Sequence, residues 1–214
     1  MSRTGRRHPA PRRPRRPDRA ATDGPTVRLF AAVLPPPPAL TELGLLVDDL
    51  ASFRAGARMA DRSRWHVTVV FLGEVPEVRV DDVSESLAAA AARSAPMRLR
   101  IAGGGRFGRG RFAVLWAGVA GADEGELGAF AGLARGVRRE LRRARLPYDD
   151  KPFRPHLTLA RPGDRIGPAE LAADVARLRA FTGSAFLIDR LLLYRSEIGP
   201  HPSHHLLADH PLGP

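Results

Sequence analysis

Apolar positions first rise above a polar background at Thr26 to Leu34 (TVRLFAAVL), a nearly continuous run that predicts a buried strand, closed by four prolines, Pro35 to Pro38. From Ala39 to about Ala55 the spacing becomes helical, with Leu43, Leu46, Val47 and Leu50 on one face. Arg64 to Phe71 is β-branched and aromatic and predicts a strand ended by Gly73. An Ala-rich helix is expected over Val80 to Arg93. Strands are expected over Met97 to Ala102 and Phe112 to Val119, joined by a Gly-rich link, Gly103 to Gly110. Glu126 to about Arg145 predicts the longest helix, with arginines in its last turns where the dipole favours cations. A strand over Phe153 to Ala160, a helix over Glu170 to Arg179 and a strand over Ala185 to Arg195 follow, with His205 to Ala208 as a last short strand.

Neighbouring strands on short links argue for antiparallel pairing, so the fold class read from this order is α+β. The strand–helix pattern recurs on both sides of the middle of the chain. That predicts a duplicated, two-lobed fold, with antiparallel-rich sheets lining a central cleft and helices outside. Residues 26–214 are expected to form this single bilobal domain.

Composition changes the picture at one end only. Residues 1–25 hold eight Arg against two Asp, a net of +6 out of +11 for the 214-residue chain, with prolines between and almost nothing to bury. That segment is expected to be a disordered Arg/Pro-rich tail and a candidate polyanion contact. With no cysteine, disulfides, thiolate nucleophiles and Cys-based zinc sites are excluded. No run approaches the roughly 18 apolar residues of a membrane span, and the N-terminus has no apolar signal core. A cytoplasmic protein, monomeric and without membrane contact, is the expectation.

The candidate chemistry lies in a repeated phrase. Trp65-His66-Val67-Thr68-Val69 in the first half returns as Pro155-His156-Leu157-Thr158-Leu159 in the second, each inside an expected strand. Strand alternation puts His66 with Thr68 on one face and His156 with Thr158 on one face. Imidazole titrates near neutrality, so one ring can be neutral while the other is protonated. Such a pair can take a proton from one oxygen and give one to another, each transfer being worth about 10²–10⁴-fold. Threonine hydroxyls can donate to nonbridging oxygens as charge builds on phosphorus. This set suits in-line displacement at an activated phosphodiester, with no metal or other cofactor. The alternative, two hydrogen-bonded core histidines, is disfavoured by the repetition of the whole pattern.

With their flanks these phrases become recognisable. His66-Val67-Thr68 followed by Phe71-Leu72-Gly73-Glu74, and the run Phe153 to Arg161 (FRPHLTLAR), resemble the two signatures of the two-histidine (2H) phosphoesterases. The match is best to their RNA 2′,3′-cyclic phosphodiesterases, historically called 2′-5′ RNA ligases. Val27 to Ala31, Val114 to Val119 and Leu193 to Pro200 support it in order, so the resemblance covers about residues 26–212. It implies two α+β lobes about a pseudo-two-fold and hydrolysis of an RNA-terminal 2′,3′-cyclic phosphate to a 2′-phosphomonoester. It implies His66 as general acid to the 3′-oxygen, His156 as general base for water, and Thr68 and Thr158 on the phosphate. Phe71 as a base-stacking residue and Arg161 as a phosphate ligand are nominated by the resemblance alone, because in a flat strand both would point away from the histidines. Arg154 is a similar candidate.

Three departures stand out: the Arg/Pro extension, Asp61 to Trp65 where the family usually has a Pro-Glu-Asn-like turn, and His201-Pro202-Ser203-His204-His205 where it usually has a Tyr. The His201, His204, His205 and His210 cluster is read as an ordinary polar terminus rather than a metal site. Two other functions fit parts of the sequence. One is a 2H enzyme for a cyclic nucleotide or ADP-ribose cyclic phosphate, with the same cleft chemistry. The other is a non-catalytic RNA-binding protein, which has no need of two matched imidazoles.

Overall fold

A computed structural model describes residues 24–199 and 202–213. Residues 1–23 of the expected tail, and His201 of the histidine cluster, lie outside them. The chain runs β1 (Thr26–Val33), α1 (Pro37–Asp48), α2 (Ala51–Arg54), β2 (Arg58–Met59), β3 (Val67–Pro76), α3 (Val80–Ala91), β4 (Met97–Phe107), β5 (Val114–Gly121), α4 (Glu126–Arg143), β6 (His156–Arg161), α5 (Pro168–Ala180), β7 (Thr182–Ile188), β8 (Arg190–Glu197) and β9 (Ser203–Pro211). One sheet has the order β3-β1-β8-β9 and the other β2-β6-β5-β4-β7. Every neighbouring pair is antiparallel. The α+β class follows directly.

The two sheets are not the two halves of the chain. The first sheet joins β1 and β3 from the N-terminal side to β8 and β9 from the C-terminal side, while β2 crosses to edge the second sheet. The strand expected over Ala185 to Arg195 accordingly divides at Asp189, so that β7 pairs with β4 and β8 with β1. Each piece buries its own apolar residues, Phe186 and Ile188 in one sheet and Leu191 and Leu193 in the other.

Two other expectations shift for local reasons. The helix expected over Ala39 to Ala55 starts at Pro37, whose fixed φ suits a first helical position. It then stops at Asp48, and extended Leu50 lets a second short helix begin. The buried Asp174 carboxylate of α5 caps that new N-terminus, accepting from the backbone N–H groups of Ala51 (2.8 Å) and Ser52 (2.9 Å). The Gly-rich link is mostly strand, because β4 continues to Phe107. A side chain at Gly104 would sit 2.6 Å from the Trp116 carbonyl oxygen, so only glycine lets β4 lie this close to β5.

The helices stay off the space between the sheets. α3 packs on β8 and β9, α4 on α3, β3, β4 and β5, and α5 on β4. Buried residues of both sheets and of α1, α3, α4 and α5 form one core, including Leu29, Leu43, Leu87, Phe130, Leu157 and Leu178. No described helix is long and apolar enough to cross a membrane.

Candidate active site

A cleft of about 510 Å³ opens between the sheets, walled by strands and loops. It brings together six of the site candidates named in the sequence, His66, Thr68, Phe71, His156, Thr158 and Arg161. His66 sits immediately before β3, behind a single 3₁₀ turn over Arg62–Arg64, and His156 opens β6. The expected first-motif strand therefore starts at Val67 rather than Arg64.

The placement of Phe71 and Arg161 corrects the flat-strand expectation. Against β1, Ala31 pairs with Val70 and Ala32 with Thr68, so Val69 is an extra residue in β3. Against β5, Leu115 pairs with Ala160 and Trp116 with Thr158, so Leu159 is extra in β6. Each is a β-bulge directly after the repeated threonine. In each, two consecutive residues turn to the core: Val69 and Val70 are both 2% exposed, Leu159 0% and Ala160 1%. Burying such side chains contributes about 1.5–3 kcal/mol for each large one, which fixes the bulge. The reversed alternation brings Phe71 and Arg161 round to the cleft beside the threonines.

Both imidazoles are held alike. The His66 Nδ1 lies 2.7 Å from the Arg64 carbonyl oxygen and the His156 Nδ1 2.7 Å from the Arg154 carbonyl oxygen. A carbonyl only accepts, so each Nδ1 carries the hydrogen and donates it. The Nε2 atoms are then the ones left for proton transfer. The repeated phrase thus extends back two residues, to Arg-x-His-x-Thr in both copies. Aromatic rings back each histidine: Phe30 at 4.9 Å from His66 and Phe107 at 5.0 Å from His156, centroid to centroid. Burial pushes the His66 pKa below its ordinary value, and the nearby His156 and Arg64 charges push the same way against the Nδ1 hydrogen bond.

The charge lining the cleft is one-sided. Arg28, Arg58, Arg64 and Arg161 face it against one carboxylate, Asp61, which is occupied by the Ser63 N–H and hydroxyl. An anionic ligand fits this balance. Arg154 opens instead onto an adjoining hollow beside Phe71, Phe107 and His156.

Several cleft residues were missed in the sequence, Arg64 and His204 among them. Arg64 donates to the Pro202 carbonyl oxygen at 2.5 Å, tying the turn before His66 to the start of β9. The available signal was the arginine two positions before each histidine. His204 was grouped with a polar terminus, yet β9 lays its ring 5.2 Å from His66 and 4.9 Å from Phe30. Its signal was faint, because nothing in the sequence pairs β9 with β8. Among the described residues, no group of three His, Cys, Asp or Glu side chains is placed to hold a metal ion.

The His204 pKa is pushed down to about 4, by burial first and then by the charges of His66 and Arg64. Its unfolded value is near 6.5, so between about pH 4 and 6.5 the unfolded chain binds more protons than the folded one. Stability from the neutral ring is complete above pH 6.5 and is lost as the pH falls to about 4. The full shift corresponds to about 3 kcal/mol, which partial solvent access reduces to about 1–2 kcal/mol. Urea midpoints at pH 7.5 and 4.5 should therefore fall with pH in the parent chain and fall less in His204→Phe. An equal fall in both would remove this ring from the balance.

A sequence model described as the 2′-5′ RNA ligase superfamily matches residues 35–199. The RNA 2′,3′-cyclic phosphodiesterase of Thermus thermophilus is 34% identical over 176 residues, 81% of this chain and 84% of the relative. That of Geobacillus stearothermophilus is 33% identical over 149 residues, 69% of this chain, and the match spans only 45% of the relative's length. A crystal structure of a Thermus thermophilus protein superposes with a TM-score of 0.64 at 32% identity, covering 86% of this chain and 97% of that one. Escherichia coli LigT complexed with NADP+ has a TM-score of 0.66 at 22% identity, over 88% of this chain and 99% of that one, a likeness of fold.

Proposed function

This chain belongs to the 2′-5′ RNA ligase superfamily, and we propose that its cleft hydrolyses the 2′,3′-cyclic phosphate at an RNA 3′ end to a 2′-phosphomonoester. One observation carries the reading: two imidazoles, each with Nδ1 committed to a carbonyl, share an arginine-lined cleft with two threonines. His156 Nε2 takes a proton from a water that attacks phosphorus. The bond from phosphorus to the 3′-oxygen breaks, and His66 Nε2–H gives that oxygen its proton. The phosphate stays on the 2′-oxygen, and the two histidines have exchanged protonation states. Thr68 and Thr158 donate to the nonbridging oxygens, and Arg161 pairs with their charge. Phe71, 46% exposed in the cleft wall, offers its face to the terminal base. No step calls on a metal or cofactor.

All the groups this reading uses belong to the cleft of one chain, and the proposal is completed by a monomer that acts on RNA in the cytoplasm. Product identification tests it. An oligonucleotide ending in a 2′,3′-cyclic phosphate should give a 2′-phosphate and a free 3′-hydroxyl, at a rate unchanged by a chelator. A 3′-phosphate product would mean that the 2′-oxygen leaves instead. No turnover of any cyclic end would overturn the reading.

A further inference from the structure

A terminal nucleotide carries two groups besides its cyclic phosphate, a base and the 5′-linked remainder of the strand. Three hollows adjoin the cleft; the smallest, of about 200 Å³, sets Glu74 and Glu197 against Arg28 and Arg195, and the two larger ones differ in chemistry. One, of about 400 Å³, shares Thr68, Phe71, Phe107 and His156 with it and continues past Phe153. Two of its three cations are engaged: Arg138 donates to the Lys151 carbonyl oxygen at 2.7 Å, and the Lys151 ammonium pairs with Asp149 at 2.9 Å, which leaves Arg154 alone beside the aromatic rings. This is the apolar, aromatic side.

The other hollow is a groove of about 510 Å³ on the β2–β6 edge, sharing Arg58 and Arg161 with the cleft and adding Arg165. Asp164 is the one carboxylate lining it. Arg58 and Arg161 are register partners across β2 and β6, two like charges directly opposite one another. That arrangement works against strand pairing unless an anion lies between or beside them. Arg165 folds back toward them, with one guanidinium nitrogen 3.6 Å from where a side chain at Gly56 would begin. All three arginines are exposed, and among the described residues none of their guanidinium groups has a hydrogen-bond acceptor or ion-pair partner. Three uncommitted guanidinium groups leading away from a phosphate site match a run of phosphates and give a base little to stack on.

Resting on the proposed activity, we propose that the Arg58–Arg161–Arg165 groove holds the backbone phosphates upstream of the cyclic end, so that the enzyme selects oligonucleotide ends over cyclic mononucleotides. Arg58 and Arg161 stand at the junction, and Arg165 lies in the groove alone.

The experiment compares kcat/KM for a nucleoside 2′,3′-cyclic phosphate with that for a trinucleotide and a pentanucleotide ending in the same cyclic nucleotide. An oligonucleotide advantage of about tenfold or more is expected. It should shrink about sevenfold between about 50 and 200 mM salt if two phosphates are held, since each contributes a log–log slope near −0.7 on single strands. The Arg165→Gln variant should lose about three- to tenfold on the oligonucleotides and nothing on the mononucleotide. Equal kcat/KM for all three substrates would overturn the groove while leaving the activity standing, as would an equal loss, or none, on both substrate classes in Arg165→Gln. Turnover of none would overturn the activity and the groove with it.

Discussion

Replacing His66 or His156 by alanine should lower kcat/KM on a 2′,3′-cyclic end by at least about 10²-fold, and up to about 10⁴-fold. Each ring presents a single transferable position, because its Nδ1 is committed to the Arg64 or Arg154 carbonyl. The cleft offers no good substitute. His204 is nearest to His66, but a pKa of about 4 leaves it almost wholly neutral near pH 7, so it has no proton to give the leaving oxygen. The order of the pair is tested by exchanging the 3′-bridging oxygen for sulfur, a leaving group that needs no proton. His66→Ala should recover most of its loss on that substrate and His156→Ala should not. Recovery in the opposite variant would reverse the roles, and full activity in either alanine variant on the oxygen substrate would sink the paired mechanism. The pH profile of kcat/KM should be bell-shaped, since one ring must be protonated and the other neutral. Because burial lowers the His66 pKa, one limb should lie acid of the ordinary histidine value, about 6.5.

The sequence carried the site further than it carried the strands around it. The repeated His-x-Thr phrase predicted two imidazole–hydroxyl pairs facing each other, and both pairs line one cleft. Period-two alternation then failed one residue past each threonine. A β-bulge is set by pairing with a neighbouring strand, and Val69-Val70 or Leu159-Ala160 reads equally well as part of a flat buried strand. The resemblance to a family supplied Phe71 and Arg161 where periodicity had turned them away. Asp189 shows a related limit, since Ala185 to Arg195 reads as one strand with only Asp189 and Arg190 charged in its middle, and the sheet order shows that the chain changes sheets there. The helix break at Leu50 depends on Asp174, more than a hundred residues later, and His204 reaches the cleft through β8–β9 pairing. In each case the deciding partner is distant in sequence, which a local pattern does not encode.

Thr68→Val and Thr158→Val should each lower turnover by about 10²-fold, comparable to removing one donor from an oxyanion site. Both side chains are half-buried in the cleft wall, on the same strand faces as the histidines. Neither hydroxyl has a hydrogen-bond partner among the described residues, so each is available to a phosphoryl oxygen. Valine keeps the branched shape and favours strand at least as well, so the melting temperature should hold while activity falls. The loss should appear in kcat more than in KM, because charge on the nonbridging oxygens grows toward the transition state. Serine, which keeps the hydroxyl, should recover much of the rate. The two threonines approach from opposite sheets, so each should hold a different nonbridging oxygen. Cyclic phosphorothioates of the two configurations separate them: sulfur at the position one threonine holds should slow the parent enzyme and add little to the defect of that threonine's valine variant. Each valine variant should then be indifferent to one isomer, and not the same one. Indifference to the same isomer in both would place the hydroxyls on one oxygen, and full activity in both variants would remove them from the chemistry.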